Sequence, residues 1–156
     1  MAQQSIVYGR RRGNDDSTFS VPVAASEVFK QQGGSFVAID ANGRATIAVA
    51  ATTNVMGAAK LNADLTASST AGTTKAEVDF STRSIWELPI NTGTWNDNMV
   101  GTRHGLTVAS SIQGVDLTDT TNVQLIIYGK GTTNAAGTVV SVLAGINVNA
   151  QVPRTT

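Results

Sequence analysis

Apolar side chains recur at every second position of this chain, never at the three-and-four spacing of an amphipathic helix, and that periodicity restricts the fold to β-structure. Phe36-Val37-Ala38-Ile39 and Ala45-Thr46-Ile47-Ala48-Val49-Ala50 flank Asp40-Ala41-Asn42-Gly43. The Asp begins, and the Gly ends, a turn suited to a hairpin loop. In its second strand, Ile47 and Val49 are expected to face inward. Ala76–Phe80 alternates in the same way, as does Ser84–Ile90, with Trp86, Leu88 and Ile90 on one side. Two further strands close the chain, Val123–Tyr128 and Val140–Val148, joined by a long loop over Gly129–Gly137. Phe19, Val21 and Val23 suit a short strand that Pro22 assigns to a sheet edge. The stretch 63–74 reads as a surface loop or weak strand, with a short helix as the alternative that its alanines leave open. The fold expected is all-β, a compact sandwich or Greek-key barrel of roughly eight strands. Repeats with a period of 20 to 50 residues are not visible.

Composition supports the same class. Thr, Ala, Val, Gly, Ser and Asn fill 96 of the 156 positions, which favours short strands and many turns. The first twenty residues differ: Arg10, Arg11 and Arg12 precede Asp15 and Asp16 in a polar run that buries little. Residues 1–20 are therefore expected to form an extended N-terminal arm, and residues 21–156 a single β-domain. Eleven basic residues balance eleven acidic ones, so the chain lacks the broad positive field that nucleic acid or an anionic membrane requires. The absence of cysteine excludes disulfides, thiolate nucleophiles and Cys-ligated metals. No apolar segment is long enough to span a membrane as a helix, and Met1–Asp16 carries no secretory pattern, which suggests a soluble protein made without export.

Candidate chemistry is sparse. The single histidine, His104, would need an orienting carboxylate such as Asp97, Asp116 or Asp119 and a nucleophile such as Ser110 or Ser111 to act as a general base. No motif specifies that arrangement, and a surface or interface histidine is the default. Asp116–Thr121 and Asp40–Gly43 offer oxygen ligands for a hard cation, yet both suit ordinary turn chemistry better. Gly129-Lys130-Gly131-Thr132-Thr133 lacks the upstream glycine of a phosphate loop. Trp86 alternates in a strand and belongs to the core. Trp95, in the loop-rich stretch 91–105 with Met99, suits either an interface anchor or a pin for its own loop. The expectation is a non-enzymatic protein without cofactor or metal. Its contact residues are Tyr8, Arg10, Arg11 and Arg12 of the arm, with Trp95 and Met99 of the loop.

Phe36-Val37-Ala38-Ile39-Asp40-Ala41-Asn42-Gly43 with Val55-Met56-Gly57-Ala58-Ala59, followed by Trp86-Glu87-Leu88-Pro89-Ile90 and Ile112-Gln113-Gly114-Val115-Asp116-Leu117, resembles the capsid decoration (cement) proteins of tailed bacteriophages. That resemblance implies a homotrimer on the outer surface of the virion's icosahedral head. It also implies an assembly that forms in the host cytoplasm and clamps neighbouring major capsid protein subunits. The alternative expectation is a receptor- or glycan-binding β-module of a phage fibre or adhesin, with Trp95, Trp86 and the loop 91–98 on the sugar. A hydrolase dependent on His104 is the third.

Overall fold

The computed structural model describes residues 10–12 and 18–148, the first three as backbone only. Thirteen strands account for the fold: β1 (Arg10–Arg12), β2 (Thr18–Pro22), β3 (Val28–Phe29), β4 (Phe36–Ile39), β5 (Ala45–Ile47), β6 (Gly57–Ala59), β7 (Leu65–Thr66), β8 (Lys75–Asp79), β9 (Ile85–Thr92), β10 (Arg103–Ala109), β11 (Ile112–Asp116), β12 (Leu125–Lys130) and β13 (Ser141–Ile146). A short 3-10 turn covers Asp97–Met99. The all-β expectation holds. The strand count exceeds eight because β1, β3, β6 and β7 have only two or three residues each, too few to display an alternation.

Within the segment expected as one β-domain, two units follow one another. In the second, β9, β11, β10, β12 and β13 are paired in that order, and β13 pairs back onto β9 to close a ring. The first has the order β2, β8, β6, β4, β5. A parallel bridge from Val23 to Ala45 draws its two ends together, with Ala24 N–H donating to the Ala45 carbonyl at 3.0 Å. The two rings are topologically the same. In each, the first strand runs parallel to the third, and all other neighbours are antiparallel.

Register makes the correspondence residue by residue. Pro22 opposes Lys75, and Pro89 opposes Ser141. Phe36 opposes Ala58 as Arg103 opposes Ile126, and Ala58 opposes Asp79 as Ile126 opposes Gly145. The parallel contact of Val23 with Ala45 recurs between Ile90 and Val115. The chain is thus a tandem structural duplicate with a spacing near 67 residues, longer than the 20 to 50 residues of solenoid and propeller repeats. Its sequence trace is Phe19-Ser20-Val21-Pro22-Val23 against Trp86-Glu87-Leu88-Pro89-Ile90, and Thr52-Thr53-Asn54-Val55 against Thr120-Thr121-Asn122-Val123. The loops before β8 and β13 also share Ala-Gly-Thr, with Gly72 at φ 83° and Gly137 at φ 81°, a backbone state that glycine adopts without steric cost.

Each ring has its own interior. The first buries Val21, Val23, Val37, Ala45, Ala59, Ala76 and Val78, and Phe29 of β3 is fully buried in the same core. The second buries Leu88, Val115, Ile127, Val142 and Ala144 at the positions of Val21, Ala45, Ala59, Ala76 and Val78, together with Leu106 and Leu125. Four residues of the first unit, Phe36, Ala48, Val55 and Ala58, turn away from their own ring and join the core of the second. Phe36 meets Trp86 edge-on at a centroid distance of 6.1 Å.

One expectation is corrected by this packing. Val49 is exposed whereas Ala48 is fully buried, because β5 ends at Ile47 and the following chain turns toward the second unit. Part of the arm is also integrated into a sheet: β1 pairs with β9 through Arg10 to Trp86 and Arg12 to Ile85. Pro22 does lie on an edge strand, and 63–74 does contain a short strand, β7.

Candidate functional site

Two buried glutamines join the units. Gln113 accepts from Phe36 N–H at 2.7 Å and donates to the carbonyls of Phe36 and Ala48 at 2.9 and 2.8 Å. Gln124 accepts from Leu106 N–H and donates to the Val49, Ala50 and Thr52 carbonyls. Buried amides with both ends satisfied fix one relative placement of the units, since a shift would strand several polar groups in a dry interior. Gln113 has no counterpart in a first-unit strand, because the β10–β11 hairpin is longer than the β4–β5 hairpin and carries it across. A Gly34 Cβ would lie 2.6 Å from its Oε1, so only glycine permits this approach.

Of the residues capable of acid–base chemistry, the aspartates are engaged in their own turns, while His104 is bonded through Nε2 and its buried Nδ1 has no hydrogen-bond partner. His104 is 4% exposed and occupies an inward ring position, where the first unit has Val37; it is not the surface histidine expected. The Thr102 hydroxyl donates to the Met99 carbonyl at 2.5 Å, so at the 2.8 Å contact it receives the His104 Nε2 proton. Ser110 and Ser111 lie in the β10–β11 turn, about 20 Å along the strand from His104 at ~3.3 Å per residue. Asp97 accepts from the Trp95 indole at 2.9 Å. Asp116 caps Thr118 and Asp119, and Asp119 caps Thr121 and Asn122. The Asn122 backbone N–H foremost, then its side chain, holds the Asp119 carboxyl below the usual range, and His104 adds a smaller effect of the same sign. Asp40 is lowered likewise, chiefly by Arg44 N–H. Both acidic stretches thus perform turn chemistry. Among the described residues, no three acidic or histidine side chains cluster to hold a metal.

Gly129–Thr133 is unsuited to phosphate for a positive reason. Thr132 presents its N–H and hydroxyl to the buried Glu87 carboxylate at 3.0 and 2.6 Å, and Ser141 donates to the same oxygen at 2.6 Å. A shallow depression of about 290 Å³ lies by β8, between Lys60, Asp64, Lys75 and Glu77, with Asp64 paired to Lys30. No helix among the described residues is long and apolar enough to cross a membrane.

Of the expected contact residues, Tyr8 lies outside the described residues, and Arg10–Arg12 are placed as β1. Trp95 and Met99 come together against the second core, each half-buried. Asn96 caps their turn by accepting from Asn98 N–H at 3.0 Å. Trp95 therefore pins its loop while keeping part of its ring in solvent. Trp86 is 4% exposed and offers no face to a sugar. Other large apolar groups stand in solvent: Phe19 at 59%, Val100 at 56%, Val148 at 50%, and Tyr128, an aromatic that the sequence offers as an interface anchor, at 46%. Phe19 was placed in a strand, but alternation alone does not reveal that its side of the ring ends there.

The class defined by these features is an all-β protein of two tandem five-stranded units. Compared with protein-family models, curated proteins and solved structures, the chain matches none.

Proposed function

We propose that this chain is a structural virion protein that decorates the outer surface of an icosahedral phage head and stabilises it by clamping neighbouring major capsid protein subunits as a homotrimer. The observation that carries the reading is a division of labour among side chains. Polar groups such as Gln113, Gln124, His104 and Asp119 serve internal hydrogen bonds, while Phe19, Val100 and Tyr128 stand in solvent as contact groups. Rigid units with exposed apolar anchors suit shape-complementary docking, where a few such residues carry most of the affinity. A trimer touching several subunits gains further by multivalency, so weak individual contacts sum to firm retention.

The test is reconstitution. Purified protein added to heads lacking it is expected to bind and to raise their resistance to heat or chelator. Absence of binding, or heads equally stable without the protein, overturns the proposal.

A further inference from the structure

We infer that the Phe19 end of the first unit is a docking seat for the second unit of another copy of this chain, presented through Arg103, Val123 and Ile126. The inference rests on the internal duplication and stands apart from the capsid reading.

Inside one chain the two units meet through non-equivalent surfaces. The outer residues Phe36, Val55 and Ala58 of the first unit are 0–2% exposed because they cap the Trp86 end of the second ring. By register, the counterpart of Trp86 is Phe19 and that of Ile146 is Phe80. Among the described residues, that end of the first ring carries no such cap. Phe19 is 59% exposed, with the Phe80 ring 6.0 Å away. The counterparts of the capping residues are Arg103 for Phe36, Val123 for Val55 and Ile126 for Ala58. They are exposed or half-buried, where their first-unit equivalents are fully covered.

Each chain thus displays one uncapped end and one unused cap, and the geometry that joins them already exists within the chain. Valine and isoleucine side chains suit the phenyl surface, and an arginine in place of Phe36 supplies a guanidinium for the faces of Phe19 and Phe80. A contact between unlike surfaces is head-to-tail. Such contacts close into a ring when the rotation permits and extend into a filament when it does not.

The experiment is mass determination by light scattering on the full chain and three variants, Phe19→Glu, Ile126→Glu and Arg103→Glu. The wild type, at about 100 μM, where a micromolar contact is saturated, is expected at a multiple of the 16.1 kDa chain mass. Each variant alone is expected as a monomer. An equimolar mixture of Phe19→Glu with Ile126→Glu is expected to stop at dimers, since each partner retains one sound surface. Circular dichroism checks folding, and Arg103→Glu, at an exposed position, takes the place of Ile126→Glu if that half-buried site fails to fold. A monomeric wild type, variants that keep the wild-type mass, or a mixture that stays monomeric each overturn the inference.

Discussion

The two units fill the same ring in opposite ways. The walls of the second are large, with Leu125, Ile127, Val115 and Val142 meeting across its interior. At the matching positions the first unit has Gly57, Ala59, Ala45 and Ala76, and the missing volume is supplied by Phe29, inserted from the β3–β7 pair. A Cβ on Gly57 would fall 2.5 Å from the Asp79 carbonyl oxygen, so this wall has been drawn in too closely for a side chain. The contrast shows that a ring topology fixes pairing and direction but leaves open whether the core comes from the strands or from a plug. A wall-filled ring distributes its stability over many residues. The plugged ring concentrates it on one.

The largest expected effect follows from that concentration. Phe29→Ala is expected to lower unfolding stability by about 3–5 kcal/mol, the range for deleting a buried phenyl group, whereas Ala59→Gly beside it costs about 1 kcal/mol or less. Denaturant titration of both variants checks the ratio. In the second unit Leu125→Ala is expected to cost about 2–5 kcal/mol. Ala59→Leu sharpens the comparison: it overpacks the wild-type ring by about 1–3 kcal/mol but recovers part of the loss in a Phe29→Ala background. Failure to recover would show that Phe29 does not substitute for wall volume.

Next in size is the join between the units. Gln113→Ala leaves the Phe36 N–H and the Ala48 carbonyl without this partner, while the Phe36 carbonyl keeps the Ala48 N–H, with an expected loss of about 2–3 kcal/mol. Thermal unfolding followed by tryptophan fluorescence in a Trp95→Phe background reads this directly, because Phe36 packs on the Trp86 indole. A smaller effect of opposite sign is expected in the β10–β11 turn. Ser110 and Ser111 have φ values of 51° and 65°, so Ser111→Gly removes left-handed strain and adds about 0.5–1 kcal/mol. Gly43, at φ 74° in the corresponding first-unit turn, already has that freedom.

The smallest effect is acid sensitivity, which both units share. Asp40 and Asp119 are held below the ordinary carboxylate range by backbone N–H donors, so each favours the folded state above the unfolded pKa of about 4 and loses that contribution as pH falls through the folded value. Melting temperature is expected to decline below about pH 4. Asp119→Asn should flatten that decline while leaving the Asp40 part intact, and an unchanged profile would assign the acid response elsewhere.

Much of this architecture was legible in the sequence. The β4–β5 hairpin, β8, β9, β12 and β13 follow from alternation, and the turn roles of Asp40 and Asp116 from Asx chemistry. The duplication was not, for a physical reason: Ala59 and Ile127, or Gly57 and Leu125, perform the same pairing with different volumes, so matching by residue type fails. His104 was misplaced because an inward position holding Val37 in one unit holds a hydrogen-bonded imidazole in the other. Trp95 was legible as a loop residue, but its indole bond to Asp97 depends on a turn that no periodicity announces. Phe19 and its exposed end became visible only once the partner ring showed what covers that position.

The single parallel bridge between Val23 and Ala45 has a mechanical meaning. The matching parallel contact of the second ring has two registered pairs, Ile90 with Val115 and Thr92 with Asp116, but the first ring is fastened at its closing edge by one bridge, with the Glu27 carboxylate accepting from Ile47 N–H beside it. Under tension, or in a rare thermal opening, that clasp releases first, and amide deuteration at Ala24 and Ile47 should run ahead of the rest of the β-framework.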